Sequence, residues 1–126
     1  MDNSKDYIKM CEMAEEIQHD KLNVGDFVYD GRVGETRIYG LNYKQVIVED
    51  YAIWLPRQDQ LQEMIEKKWK DGFNDITGRK FYPCDLLRAF CDFSVYCKPK
   101  ESMEQLWLAF VMKEKYNKVW NGEDWV

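Results

Sequence analysis

The sequence predicts one α+β domain over residues 1–126, with a small three-stranded antiparallel sheet and about four helices. Two observations support this fold class. Apolar residues recur at steps of three and four in four segments, which is the period of an amphipathic helix. Short runs of strand-forming residues lie between the first two of these segments. Because the runs follow one another closely, no crossover helix fits between them, and an antiparallel sheet is expected.

The first helix is predicted over residues 4–20. Asn3 or Ser4 serves as its N-cap, and Asp6 lies in the first turn, where a negative charge is favourable. The apolar stripe of this helix consists of Tyr7, Met10, Cys11, Ala14 and Ile17.

The strands are predicted as a three-stranded meander. The three strand segments are 27–29, 37–39 and 46–48, the last continuing toward Trp54. Asp30-Gly31 and Gly34 mark a turn between the first two segments. Gly40 and Asn42 mark the turn before the third.

Three more helices are predicted in the second half of the chain. The second helix follows Pro56 and ends at Asp71-Gly72, with a loop over 71–82. The third covers 83–97, because proline suits a first helical position and Pro99 forbids continuation. The fourth begins at Ser102, which opens a capping box of the S-x-x-Q type.

Helices one and four are expected to pack on the sheet or on each other. The predicted buried residues are Ile17, Leu61, Ile65, Leu87, Phe90, Leu106, Phe110 and Val111. The last residues contain Trp120 and Trp125 around Asn121-Gly122, a turn signal, which predicts a tail docked on the core.

The composition argues against two classes of protein. Asp and Glu number 23 against 18 Lys and Arg, so the formal net charge is −5 and a dedicated polyanion binder is not expected. No apolar run approaches the roughly 18 residues of a membrane span, and the first residues do not resemble a signal peptide. We therefore expect a cytoplasmic protein whose four cysteines are reduced.

No catalytic signature is present. His19 is the single histidine, whereas most general-base and zinc sites use histidine, often more than one. The cysteine spacing does not match a zinc site, and Cys11 and Cys91 are interpreted as small core residues. The one candidate nucleophile–base pair consists of Cys84, at the start of the third helix, and His19. No catalytic residue and no cofactor is predicted.

Three sets of polar residues are candidate binding sites. Polar groups at the start of the second helix form a candidate anion or partner site: Arg57, Gln58 and Gln60. A basic cluster forms a candidate nucleic-acid contact: Lys67, Lys68, Lys70, Arg79 and Lys80. Acidic residues beside the strands form a candidate metal site of a hydrolase or nuclease: Asp26, Asp30, Glu35, Glu49 and Asp50. Each set also has a purely structural interpretation. The first set can be the start of a helix, the second a solvated helix face, and the third a group of turn and edge residues.

Four stretches resemble small proteins encoded by phages and prophages of Gram-positive bacteria. They read CEMAEEIQ, VGDFVYD, WLPRQDQLQEMI and LWLAFVMKEKYNKVWNGEDWV, and the resemblance spans residues 7–126. That group has no assigned activity, so the resemblance implies no functional residues. It implies an accessory role in the cytoplasm of a bacterial host.

We expect a non-enzymatic protein that binds another protein, of phage or host. Abundant aromatic residues suit interfaces, and catalytic motifs are lacking. The alternatives are a metal-dependent hydrolase or nuclease using the carboxylates, and a weak nucleic-acid-binding protein. A homodimer is also expected, since exposed sheet edges and the tail invite pairing across a two-fold axis.

Overall fold

A computed structural model describes residues 1–18, 22–40, 51–76, 80 and 82–126. Its described part contains a three-stranded antiparallel sheet and five helices, which confirms the α+β class. The chain divides into two compact units, residues 1–57 with 120–126, and residues 58–119. The assignment of all 126 residues to one domain stays a prediction.

The first unit begins with two helices, α1 (Lys5–Met13) and α2 (Glu15–Gln18). Ser4 caps α1, because its Oγ accepts a hydrogen bond from the Tyr7 N–H at 3.2 Å. The prediction of one unbroken helix over 4–20 is wrong at Ala14, which leaves the helical region with φ −87° and ψ 66°. The break has a local cause. The Cys11 carbonyl accepts from the Ala14 N–H and the Gln18 Nε2 instead of continuing the helical ladder.

The sheet consists of β1 (Phe27–Asp30), β2 (Glu35–Ile38) and β3 (Ala52–Leu55) in the order β2-β1-β3, with both pairs antiparallel. The antiparallel prediction is confirmed, and so is the turn at 31–34, where Gly34 has a φ of +71°. The described strand β3 pairs with β1, and the predicted meander through segment 46–48 stays a prediction. β1 contributes the buried Val28, and this apolar strand takes the central position. The predicted segment 46–48 and Asn42 lie outside the described residues.

Helix α1 packs against β3 in this unit. The Tyr7 hydroxyl donates to the Pro56 carbonyl just after β3, at 2.6 Å. Further along, Gln18 binds both backbone groups of Trp54: the Trp54 N–H donates to Oε1 at 2.8 Å, and Nε2 donates to the carbonyl at 3.0 Å. The predicted packing of the first helix on the sheet is confirmed.

The tail joins the first unit. Trp120 and Trp125 form an antiparallel bridge around Gly122, whose φ is +103°. Trp125 is 4% exposed, and its Nε1–H donates to the Met10 carbonyl at 2.9 Å. The predicted docking of the tail is confirmed for Trp125, whereas Trp120 is half-buried.

The second unit contains α3 (Gln58–Ile76), α4 (Pro83–Tyr96) and α5 (Met103–Tyr116). The prediction that the second helix ends at Asp71-Gly72 is wrong, since α3 continues to Ile76. A glycine inside a helix costs only about 1 kcal/mol relative to alanine, which packing along a long helix outweighs. α3 packs along α5.

Helix α5 starts where predicted. The Ser102 Oγ accepts from the Gln105 N–H at 3.1 Å. The Gln105 Oε1 accepts a hydrogen bond from the Glu101 N–H at 3.4 Å. The helix ends at Asn117, in the left-handed conformation with φ 54°.

Most of the predicted core is confirmed. Six predicted residues are buried: Ile17, Leu61, Ile65, Phe90, Phe110 and Val111. Leu106 is half-buried, and the prediction for Leu87 is wrong because its side chain is 58% exposed. Cys11 is buried as expected, but Cys91 is exposed. Both errors fall on α4.

We expect Trp125→Ala to lower the free energy of unfolding by about 3–5 kcal/mol, the usual cost of removing a buried aromatic side chain. The lost hydrogen bond to the Met10 carbonyl adds to the effect. Urea denaturation at neutral pH measures it. Trp120→Ala is the matched control and should cost clearly less, since Trp120 is half-buried. Equal effects of the two variants would contradict the docked tail.

Candidate protein-binding face of helix α4

Both ends of α4 are specified by local chemistry. Pro83 occupies the first turn, and the Tyr82 N–H donates to the Asp85 Oδ2 at 3.1 Å. At the other end the Cys97 N–H donates to the Phe93 carbonyl at 3.0 Å, and Pro99 follows. The predicted helix over 83–97 is therefore confirmed, with Cys97 as the C-cap.

An aromatic cluster determines the rotation of α4 about its axis. Phe90 stacks on Trp107 of α5 with ring centroids 3.8 Å apart and planes within 4°. The Phe110 ring lies edge-on to both, with centroid distances of 5.6 Å to Phe90 and 5.8 Å to Trp107. Phe93 lies 5.2 Å from Phe110, and Leu86 is buried on the same side. These contacts turn the Leu86–Phe90–Phe93 face inward.

The opposite side of α4 carries a second apolar stripe, which is exposed. We call it the α4 seam: Cys84, Leu87, Cys91 and Val95. Its members follow one another at steps of three, four and four residues, so they form one line along the helix. Leu87 is 58% and Val95 75% exposed, and both cysteines are exposed.

The seam has a charged flank and an aromatic end. Arg88 and Asp92 are exposed four residues apart on one side of the seam. Tyr96, in the last turn, is 90% exposed. A line of apolar side chains with polar residues beside it is the pattern of a protein interface, because covering such a line removes apolar area from water.

The β1–β2 hairpin contains the buried carboxylate of Asp30. Its Oδ1 accepts from the Arg32 backbone N–H at 3.0 Å, and its Oδ2 accepts from the Arg32 Nη2 at 3.1 Å. The Arg37 Nη1 lies 3.6 Å from the same carboxylate. The hydrogen bond from the Arg32 side chain holds the pKa of Asp30 below its ordinary value, against the opposing effect of burial.

The candidate metal residues therefore do not assemble in the described part of the chain. Asp26 is buried, and its Oδ2 accepts from the Asn23 N–H at 2.8 Å, apart from the arginine contacts of Asp30. Glu35 lies 3.6 Å from an Arg37 nitrogen. No three His, Cys, Asp or Glu side chains come together among the described residues. Glu49 and Asp50 lie outside them, so the metal alternative stays a prediction.

The joint around Pro56 has structural contacts. The Pro56 carbonyl accepts a hydrogen bond from the Tyr7 hydroxyl, and the Arg57 Nη1 donates one to the Gly25 carbonyl at 3.4 Å. Gln58 and Gln60 lie in the first turn of α3. The candidate anion site at these three polar residues stays a prediction.

The basic residues of α3 are exposed: Lys67, Lys68 and Lys70. Lys68 Nζ donates to the Glu114 carbonyl, so one of these cations is bound to α5. Lys80 is exposed and Arg79 lies outside the described residues. The nucleic-acid contact stays a prediction.

The thiols differ in their surroundings. Burial raises the pKa of the Cys11 thiol, which keeps it protonated. Cys84 is exposed at the start of α4, and its proposed base His19 lies outside the described residues.

An open groove of about 810 Å³ also lies in the first unit, between α1 and the β1–β2 hairpin. Its side chains are mostly polar and carry both signs of charge: Asn3, Lys5, Ile8, Lys9, Glu12, Tyr29, Glu35 and Thr36. Tyr29 and Thr36 oppose each other across the hairpin and so share one face of it. The groove has no histidine or cysteine, and mixed charges favour no particular ligand.

The α4 seam is not among the features predicted from the sequence. The predicted third helix has Leu86, Leu87, Phe90, Cys91 and Ser94 on one side. The missed signal is that α4 has apolar residues on two faces, which a single-faced surface helix does not need. Two apolar faces are typical of a helix that is completely buried or has a second contact, and the second face of α4 is exposed at Leu87 and Val95.

No protein-family model, curated protein or solved structure matches this chain. The resemblance to phage proteins therefore stays an expectation, and the functional proposal rests on geometry. Among the described residues, no helix combines the length and apolar character needed to cross a membrane.

We expect Asp30→Asn to reduce the acid sensitivity of the fold. A folded pKa below that of the unfolded chain, about 3.9, contributes stability that is present above that pH and is lost as the pH falls through the folded pKa. The drop in urea midpoint between about pH 6 and pH 3 should be smaller in Asp30→Asn than in the wild type. Glu63→Gln, at an exposed carboxylate of α3, should keep the wild-type drop. An unchanged drop in Asp30→Asn would contradict this role.

Proposed function

We propose that this chain is a non-enzymatic protein that binds another protein through the α4 seam. The exposure of the seam is the observation that carries the proposal, since Leu87 and Val95 are exposed on a helix whose opposite face buries Leu86 and Phe90. A line of apolar residues at steps of three and four suits a helix of the partner.

The aromatic cluster supports the proposal because it holds the seam in place. The Phe90–Trp107 stack and its edge contacts with Phe110 fix the rotation of α4 before any partner arrives. A preorganised surface loses little conformational entropy on binding, so more of the contact energy appears as affinity.

The biological setting of the partner rests on the resemblance described above. That resemblance supports a phage or host protein of a bacterial cytoplasm as the partner, and an accessory role for this chain. The hydrolase and nucleic-acid alternatives have no observation of comparable weight. Asp26 and Asp30 are bound to protein groups, and the lysines of α3 lie among acidic residues.

Affinity capture with three baits tests the binding function. Wild type, Val95→Asp and Val119→Asp are each used on lysates of phage-infected or lysogenic bacteria, followed by quantitative mass spectrometry. We expect at least one other protein to be captured by the wild type and by Val119→Asp, and to fall about tenfold with Val95→Asp. Val119 is the matched control, because it is a valine 53% exposed outside α4. The absence of any protein that depends on Val95 would contradict the proposal.

Metal titration separates the binding function from the hydrolase alternative. A ligand that binds only the folded state raises its stability, so a metalloenzyme should melt at a higher temperature with its metal. We expect Mg²⁺, Mn²⁺ and Ca²⁺ to leave the melting temperature unchanged. A rise that disappears in Asp26→Ala would support the hydrolase and contradict the non-enzymatic assignment. A circular dichroism spectrum of the variant checks that it is folded.

A further inference from the structure

We propose that the α4 seam binds the seam of a second copy of this chain, with the two α4 helices antiparallel about a two-fold axis level with Phe90. This inference rests on the proposed function and names one partner for the same surface. The interface is isologous, so each contact occurs twice.

Charge complementarity favours this arrangement. Arg88 and Asp92 lie two residues on either side of position 90, on the same flank of the seam. In an antiparallel pair the same flanks face each other, so Arg88 of one copy meets the partner's Asp92, and the reverse pair forms symmetrically. A parallel pair would set this flank against the opposite one, which carries Ser94 and no charge.

The apolar side chains also interlock in this register. Leu87 lies three residues from the axis, at a level between the partner's Cys91 and the partner's Val95. It therefore enters the gap between them, as a knob enters a hole. The small Cys91 near the axis lets the helices approach closely, within the usual 8–10 Å between packed helices.

The register places the thiols differently. The two copies of Cys91 are offset by only about 3 Å along the helices, at 1.5 Å per residue, which allows the Cα separation of about 4.4–6.8 Å that a disulfide needs. The two copies of Cys84 are offset by about 18 Å and cannot reach each other. Disulfide formation by the native cysteines can therefore test the register of the two helices, and no cysteine has to be introduced.

The dimer should be weak. α4 has 14 residues and is about 21 Å long, so one helix pair buries less than a standard interface. We expect a dissociation constant in the micromolar range. At concentrations above that constant, the mass should be near twice the 15.2 kDa of the chain.

Two cysteine variants test the register. Cys84→Ser/Cys97→Ser keeps Cys91 as the exposed thiol, and Cys91→Ser/Cys97→Ser keeps Cys84, while Cys11 is buried in both. Diamide accepts the two electrons and two protons released when two thiols join. We expect a covalent dimer from the variant that keeps Cys91 and none from the variant that keeps Cys84. Cross-linking through Cys84 and not Cys91 would overturn the antiparallel register.

Light scattering after size exclusion tests the dimer itself. Val95→Asp should raise the dissociation constant about tenfold or more, because each copy then buries a charge in the seam, whereas Val119→Asp should leave it unchanged. Arg88→Asp should weaken the dimer, and Arg88→Asp/Asp92→Arg should restore it. A monomeric wild type at high micromolar concentration overturns this inference, as does a dimer unaffected by Val95→Asp. A monomer that still captures another protein through Val95 leaves the proposed function standing, so the two failures are distinguishable.

Discussion

The stacking of Phe90 on Trp107 is the interaction on which the exposed surface of the second unit depends. The rings lie parallel at 3.8 Å, and Phe110 closes the cluster from the side. A helix with apolar residues on two faces has two rotations, each of which would bury one of them. The stack selects one of them, because Leu87 has no ring with which to replace that of Phe90. The exposed seam is thus a consequence of the core.

In the first unit the corresponding constraint is that backbone N–H and carbonyl groups of β3 need hydrogen-bond partners. The Gln18 carboxamide binds the N–H and carbonyl of Trp54 much as a neighbouring strand would, and it also binds the Cys11 carbonyl. The first helix breaks at Ala14, and the Cys11 carbonyl there accepts both the Ala14 N–H and the Gln18 side chain. The Gln18 side chain therefore connects the broken end of the first helix to the sheet.

The features that the sequence predicts correctly are local. Ser4 and Ser102 cap helices, Pro83 starts one and the 31–34 turn joins β1 to β2, because each depends on a few adjacent residues. The errors concern choices between distant partners. The face of α4 that is buried depends on Trp107, which lies on another helix. The two apolar faces of α4 are visible in the sequence, but which of the two is exposed could not be predicted for the same reason.

A single seam imposes a competition between its partners. The proposed dimer covers the seam of both copies, so another protein could bind this seam only by displacing a copy of this chain. By mass action, such a partner must bind more tightly than the second copy does at the prevailing concentrations. A weak dimer suits that role, because it keeps Leu87 and Val95 out of water when no partner is present and yields when one arrives. The small contact area of a 14-residue helix produces such weakness directly.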